Sequence, residues 1–242
     1  RFIQVTGVQT CALPISQVTS EEAGLMSAPG TSAQQRRRRA VERARSAFAD
    51  SAQDLAGSKL TFERFVAGEE NMLAFEAAKQ VADGENKGYN PLFIYGKSGL
   101  GKTHLLRAIQ NYVVLNDPSR LCVYRTAGEF VEDYRIASNN KETSARSALS
   151  NNYQNVDILI IDDVQNMHTA AGSIRFFFET FNALTARDKQ IVLAADRSPS
   201  QLGMGDSKFD ERDTSRMDSG VTVSIQVIQR SEERRVGKEC RS

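Results

Sequence analysis

Apolar residues recur along this chain with two periods. From Asn71 to Ala82, Met72, Leu73, Phe75 and Val81 keep the spacing of one helical face, and Gly84 stands where such a helix stops. From Ser173 to Ala186 the pattern is fuller: Ile174, Phe177, Phe178, Phe181 and Leu184 follow i, i+3, i+4, i+7 and i+10. Lys102 to Val114 puts Leu105, Leu106, Ile109 and Val113 on one side. Ala127 to Ile136 and the more polar Lys141 to Asn151 read as two further helices. Between them lie short apolar runs, "NPLFIYG", "LCVYRT", "DILIID" and "QIVLAAD", with "VTVSIQ" as a last candidate. Runs of that length, unbroken by polar residues, suit strands covered on both faces. Alternating with helices, they predict an α/β fold with a mostly parallel sheet flanked by helices.

The periodicity fails at both ends. Gln17 to Ser58 is poor in large apolar residues and rich in Ala, Ser, Gln and Arg, and reads as a flexible basic linker. Within it, "QQRRRRAVERARSAFADSAQDLA" would form a transient helix whose six arginines are either solvated or in touch with nucleic acid. "VTGVQTCALPI" (Val5 to Ile15) resembles the translation of a sequencing-library adapter, and "RSEERRVGKEC" (Arg230 to Cys240) resembles the partner adapter. The expected layout is therefore adapter-like, disordered ends at 1–16 and 230–242, a linker at 17–58, and a folded core at 59–229.

Composition narrows the classes. Hydrophobic residues make up 40% of the 242 and charged residues 25%, as in an ordinary globular protein. No apolar run approaches the roughly 18 residues of a membrane span. The first residues lack the build of a secretory signal, so a cytoplasmic protein is expected. The net charge is +1, but Leu60 to Gln229 holds 18 basic against 22 acidic residues. Bulk positive charge in the core therefore does not attract DNA. Three cysteines, Cys11, Cys122 and Cys240, form neither a disulfide framework nor a zinc spacing, and Cys122 reads as core.

The candidate chemistry begins at Gly96-Lys97-Ser98-Gly99-Leu100-Gly101-Lys102-Thr103, which fits G-x-x-x-x-G-K-[ST] between a strand and a helix. Its glycines let the backbone curl around phosphate oxygens, and the helix that follows presents its positive end to them. A solvent-facing Lys102 would supply a point charge to the β and γ phosphates, and Thr103 a ligand to Mg²⁺. "ILIIDD" ends a buried strand with Asp162, a candidate to hold Mg²⁺ through water, and Asp163, a candidate to orient or deprotonate an attacking water. "LAADRS" ends another strand with Asp196 and Arg197, which either sense the γ-phosphate or merely cap a turn. In "FDERDTSRMDSG", Arg212 and Arg216 lie four apart on one helical face. They serve either surface ion pairs or a neighbour's γ-phosphate. His104 and His168 read as local polar residues.

These residues resemble the AAA+ domain of the DnaA family of bacterial chromosomal replication initiators. "LTFERFVAGEENMLAFEAA", "YNPLFIYGKSGLGKTHLLRAIQNYV", "VDILIIDDVQ", "FFETFNAL", "KQIVLAADRSP" and "ERDTSRMDSGVTVSIQ" stand in that family's order, over Leu60 to Gln226. The resemblance implies ATP or ADP with Mg²⁺ as ligands, and an adenine pocket from Phe62 to Gly68, including Phe65 and Val66. The nucleotide-binding set would continue through Gly96, Lys97, Ser98, Gly99, Leu100, Gly101, Lys102, Thr103 and His104. Asp196 would be the sensor-1 acid. Arg216 would be an arginine finger reaching the ATP of the adjacent protomer, with Arg212 its helper at that interface. Implied partners are further copies of the chain, origin DNA, the helicase and acidic phospholipids. The nucleotide would act mainly as a signal: ATP builds a filament on origin DNA and slow hydrolysis dismantles it. Asp163 stands where many AAA+ motors carry glutamate, and its shorter reach agrees with slow hydrolysis.

The chain departs from the family in places. Ala170 and Gly172 stand in the loop after "IDDVQ" where basic residues often grip single-stranded DNA. Asp213 replaces an apolar residue, which predicts weaker packing of the finger helix. The helical lid with its sensor-2 arginine, the duplex-reading helix-turn-helix and the helicase-loading domain are not among the 242 residues. A DnaA-like regulator, a helicase loader or a P-loop small-molecule kinase remain alternative readings.

Overall fold

The computed structural model describes residues 29–53, 58–84, 88–140, 143–169, 171–204 and 209–226. Both adapter-like ends lie outside them. By its contacts the chain divides into residues 1–37 and 38–242. The described part of the first unit, 29–37, is the start of helix α1 (Pro29–Ala47); the rest of the description concerns the second.

Five strands form one parallel sheet: β1 (Leu92–Tyr95), β2 (Cys122–Thr126), β3 (Ile158–Asp162), β4 (Gln190–Ala195) and β5 (Val221–Ser224), in the order β2-β3-β4-β1-β5. Leu92 registers with Val192 on one side and Val221 on the other, and Cys122 with Ile158. Strand alternation assigns each residue to one of two cores. Leu92, Ile94, Ile158, Ile160, Val192 and Ala194 face the layer of α3 (Met72–Asp83) and α4 (Lys102–Asn116). Phe93, Leu159, Ile161, Ile191 and Leu193 face the layer of α5 (Ala127–Asn139), α6 (Thr143–Gln154) and α7 (Ala171–Thr185). The second layer is rich in aromatics. Phe130 lies 5.4 Å from Phe176 and 5.0 Å from Tyr153 between ring centres. The expected α/β sandwich is thus present, and the predicted helices and strands agree with the observed ones to within a few residues.

Local signals set the boundaries. Gly84 ends α3 in the left-handed region, at φ 77°. Thr126 and Glu129 make a reciprocal capping box at the start of α5. Two short helices, α8 (Pro199–Leu202) and α9 (Glu211–Met217), follow β4. Asp213 makes a capping box with Asp210 on α9, its backbone N–H donating to Asp210 Oδ1 at 2.8 Å. Burial raises the Asp213 carboxyl above its usual range. Asp210 is the cap, and the Asp213 carboxylate completes the box by accepting from Asp210 N at 3.4 Å.

Part of the stretch whose composition reads as linker belongs to the ordered body. Within residues 38–53, Ala44, Phe48 and Ser51 are buried, the last on α2 (Ala49–Gln53). Phe48 packs 4.8 Å from the Tyr153 ring. Ser51 Oγ donates to Tyr124 O and accepts from Tyr124 N, each at 3.1 Å. β2 is an edge strand, and this pair of bonds engages the backbone N–H and C=O of Tyr124 on its outer side as a further strand would. Composition conceals the docking because a single aromatic residue anchors it. Among the described residues, no helix is long and apolar enough to cross a membrane.

Candidate nucleotide site

β3, β4 and β1 are neighbours in the sheet, so the loops leaving their C-terminal ends converge. In open parallel sheets that is where ligands bind. The loop after β1 is pinned from two sides. Gly96 N donates to Ala195 O at 3.2 Å, and Ile225 N donates to Tyr95 O at 2.7 Å. A side chain at Gly96 would put its Cβ 2.3 Å from Ile225 O, so only glycine permits this approach. Gly101 adopts φ 98°, and a Cβ there would stand 3.0 Å from the Phe65 ring. Glycine is needed at both ends of the loop, at the first for space and at the second for conformation as well.

Lys102 opens α4 and corrects the sequence expectation of a solvent-facing side chain. It is 7% exposed, and its Nζ donates to Gly96 O at 2.7 Å and Lys97 O at 3.1 Å. The stem lies beneath its own loop, where a buried ammonium needs acceptors, and the loop carbonyls supply them. The charge still sits inside the curl formed by Gly96 to Gly101.

Thr103 Oγ1 donates to Asp162 Oδ2 at 2.7 Å, joining the first turn of α4 to the end of β3. Tyr124 OH donates to the same oxygen at 2.9 Å, and Asp163 N donates to Asp162 Oδ1 at 2.9 Å. Asp162 is 1% exposed, so these bonds are the means by which its carboxylate is kept satisfied. Burial first, then the negative charge of Asp162, pushes the Tyr124 hydroxyl well above its ordinary pKa. It therefore remains a donor.

Asp163 takes φ 55°, an uncommon left-handed conformation for a residue with a side chain, and its Oδ1 accepts from Gln165 Nε2 at 3.0 Å. Gln165 Oε1 in turn accepts from Asp196 N at 3.2 Å. Gln165 thus bridges the ends of β3 and β4. The Asp196 carboxylate pairs with Arg197 through two bonds of 2.8 Å, and that pairing, with help from the charge of Lys102, lowers its pKa. A groove of about 450 Å³ runs past Tyr95, Gly96, Lys97, Asp196, Ser224 and Gln226.

The adenine-side candidates separate. Phe62 is buried in the core, edge-on to Phe75 and Tyr112. Phe65 stacks on Phe75 at 5.8 Å and meets the His104 ring edge-on at 5.3 Å. His104 Nε2 donates to Thr61 O at 2.8 Å, so it clamps this segment onto α4. Val66 is 82% exposed beside it. Ser98, Gly99 and Leu100 form the tip of the phosphate loop, with Gly99 at φ 83°.

Arg212 and Arg216 stand apart from the groove beside the phosphate loop. Arg212 is exposed on α9. Arg216 is 42% exposed, lies 5.6 Å above the Phe178 ring and is 3.7 Å from the Asp213 carboxylate. It lines a separate groove against α7, with Ile174, Arg175, Phe178 and Glu179. His168 sits in the tight turn Val164–Thr169. Gly172 lies in the first turn of α7, where a Cβ would meet Tyr134 OH at 2.9 Å, and Ala170 lies outside the described residues.

Sequence reasoning passed over Tyr124 and Gln165. Gln165 belongs to the quoted "IDDVQ" stretch and was open to discovery there. Tyr124 carries no local signal: it reads as one more apolar residue of β2.

Mg²⁺ calls for hard oxygen ligands, and the hydroxyl of Thr103 and the carboxylate of Asp162 are two such groups side by side. Among the described residues, no group of three or more acidic, His or Cys side chains could hold a metal ion. An ion here would need phosphate and water oxygens to complete its shell, as the phosphate loop provides for.

The family model described as the bacterial DnaA ATPase domain matches residues 57–224. The chain is 42% identical, over 169 residues, to the chromosomal replication initiator protein DnaA of Streptococcus agalactiae. That alignment covers 69% of this chain and 36% of the relative, so the chain spans about a third of that relative's length. Domain III of the Thermotoga maritima replication initiation protein DnaA superposes with a TM-score of 0.63 at 41% identity, covering 70% of this chain and 68% of that one. A replication initiator DnaA bound to AMPPCP and single-stranded DNA superposes with a TM-score of 0.62 at 36% identity, covering 71% and 51%. The DnaC helicase loader, at 13% identity and a TM-score of 0.58, shares the fold.

Proposed function

The chain belongs to the bacterial DnaA ATPase-domain family, and we propose that its ordered body is the ATP-binding core of a chromosomal replication initiator. The observation that carries this reading is the meeting of Lys102, Thr103, Asp162 and Asp196 at the ends of three adjacent strands, around a loop that only glycine at Gly96 and Gly101 permits. A relative of this fold was solved with AMPPCP, an ATP analogue, which supports the same ligand class here.

In this reading the loop that follows Gly96, through Gly101, turns backbone N–H groups toward the phosphates. Lys102 exchanges loop carbonyls for β and γ phosphate oxygens, and Phe65, Val66 and His104 border the adenine. Thr103 and, through water, Asp162 would hold Mg²⁺, and the ion would draw negative charge from the phosphates. Asp163, steadied by Gln165, accepts the proton of the attacking water, and Asp196 faces the γ-phosphate from β4. The short reach of the Asp163 carboxylate suits slow turnover, so the nucleotide serves as a switch. Arg216, with Arg212 beside it, faces away from its own phosphate loop and suits contact with a second copy's ATP. Self-assembly on origin DNA follows as the purpose of that contact. The helicase and acidic phospholipids are carried over as partners from family resemblance alone.

The test is equilibrium binding of ATP and ADP by calorimetry, with Mg²⁺ and with EDTA, followed by sedimentation of the full-length protein on origin DNA with each nucleotide. Micromolar or tighter ATP binding, with assembly under ATP and not ADP, is expected. Absence of nucleotide binding by the folded chain removes the proposal.

A further inference from the structure

Asp162 Oδ2 receives two hydroxyl donors, one from Thr103 and one from Tyr124. Only the first belongs to the phosphate loop. Tyr124 comes from β2, the strand beside β3, and is itself held on several sides. Its backbone N–H and C=O are both engaged by Ser51. The Arg107 guanidinium lies 3.6 Å from its ring centre, on the helix that Lys102 begins. Arg107 donates to Gln110, and Gln110 donates to the backbone and side chain of Ser51. The contacts thus form a closed circuit through α2, β2 and α4. It reaches Asp162 through the Tyr124 hydroxyl.

We propose that Tyr124 is a positioning residue for the metal-holding carboxylate, acting on Mg²⁺ through Asp162 while touching neither metal nor nucleotide. The proposal rests on the reading of Thr103 and Asp162 as the Mg²⁺ pair. A carboxylate with a donor on Oδ1 and two on Oδ2 cannot swivel, so one edge stays turned toward Thr103. Without the Tyr124 donor, Oδ2 keeps only Thr103, a group that the metal also claims. A hydrogen bond to a charged group is worth enough to move a binding equilibrium by about tenfold. Phenylalanine keeps the ring, and with it the Arg107 contact and the backbone bonds to Ser51.

The experiment is a Mg²⁺ titration of ATP binding to the whole chain, wild type against Tyr124→Phe, with ATP affinity in EDTA measured on the same samples and folding checked by circular dichroism. The expected result is an unchanged affinity in EDTA and a Mg²⁺ midpoint raised about threefold to tenfold. A midpoint equal to or below that of the wild type overturns the proposal. So does an unfolded variant, since the hydroxyl would then serve the fold and not the metal. A wild-type chain that binds ATP equally in EDTA and Mg²⁺ fails at the earlier step: it removes the metal pair itself. Thr103→Val is the reference for the pair and should lose most of the Mg²⁺ enhancement.

Discussion

The ammonium of Lys102 lies 2.7 Å from the carbonyl oxygen of Gly96, tying the lysine of the phosphate loop to the loop's first residue. The bond satisfies a buried charge and keeps the loop wrapped around the space it encloses. Both groups can find other partners when phosphate oxygens enter. Lys102→Ala should therefore lower ATP affinity at least about tenfold, through loss of a charge-assisted contact. It should cost only about 1 kcal/mol of stability, because the two freed carbonyls can turn to water. Calorimetry beside thermal melting checks both, and an unchanged affinity would remove Lys102 from the nucleotide reading.

Arg216 is set between Phe178 and Asp213, away from the groove that Asp196 and Gly96 line. Arg216→Ala in the full-length protein should leave ATP affinity of the monomer within about twofold, since a rim charge far from the ligand adds little to binding. It should abolish ATP-dependent self-association. Sedimentation velocity and nucleotide titration on the same preparation decide the matter, and an equal loss of monomer affinity would place the arginine in its own subunit's site.

Phe48 fills a buried position between Tyr153 and the Arg125 guanidinium, 4.8 Å and 5.2 Å from its ring. Phe48→Ala should destabilise the fold by about 3 kcal/mol, the cost of a large buried ring and the cavity left behind. Chemical denaturation measures it. A loss below about 0.5 kcal/mol would mean that the end of α1 and α2 are not part of the cooperative body.

Burial pushes the Cys122 thiol up to about 12. Its folded pKa lies above the unfolded value, so its contribution to stability is complete below roughly pH 8.5 and fades as pH rises toward 12. The unfolded chain releases this proton first, at up to about 1.4 kcal/mol per pH unit. Replacing Cys122 with Ala should flatten the alkaline fall in stability by that amount. In a background lacking Cys11 and Cys240, iodoacetamide should modify Cys122 only after denaturant is added. Rapid alkylation of the folded protein would contradict the burial.

The division between sequence and tertiary structure follows the range of the interactions. The unbroken apolar run Leu92, Phe93 and Ile94, the i, i+3, i+4 rows of α7, the Gly84 stop and the phosphate loop all depend on near neighbours in the chain. They could be read before any fold was known. The capping box of Asp210 and Asp213 was equally local, two acidic residues three positions apart. The inward turn of Lys102 was not legible, because its direction depends on a loop that must first close over it.

Tyr124 and Asp162 are 38 residues apart, Ser51 and Tyr124 73 apart, and Asn90, whose side chain bonds to Lys189 O and Ile191 N, about a hundred from its partners. Such pairs exist because β2 lies beside β3, β1 beside β4, and α2 against the outer edge of β2. Strand order is an outcome of packing two apolar layers on one twisted sheet, and no single segment encodes it. The sequence by itself determined where the phosphate-loop motif and the acidic strand ends lie along the chain. The tertiary structure decided which neighbours hold them still: a buried polar group takes its partner from whatever strand the fold sets next to it.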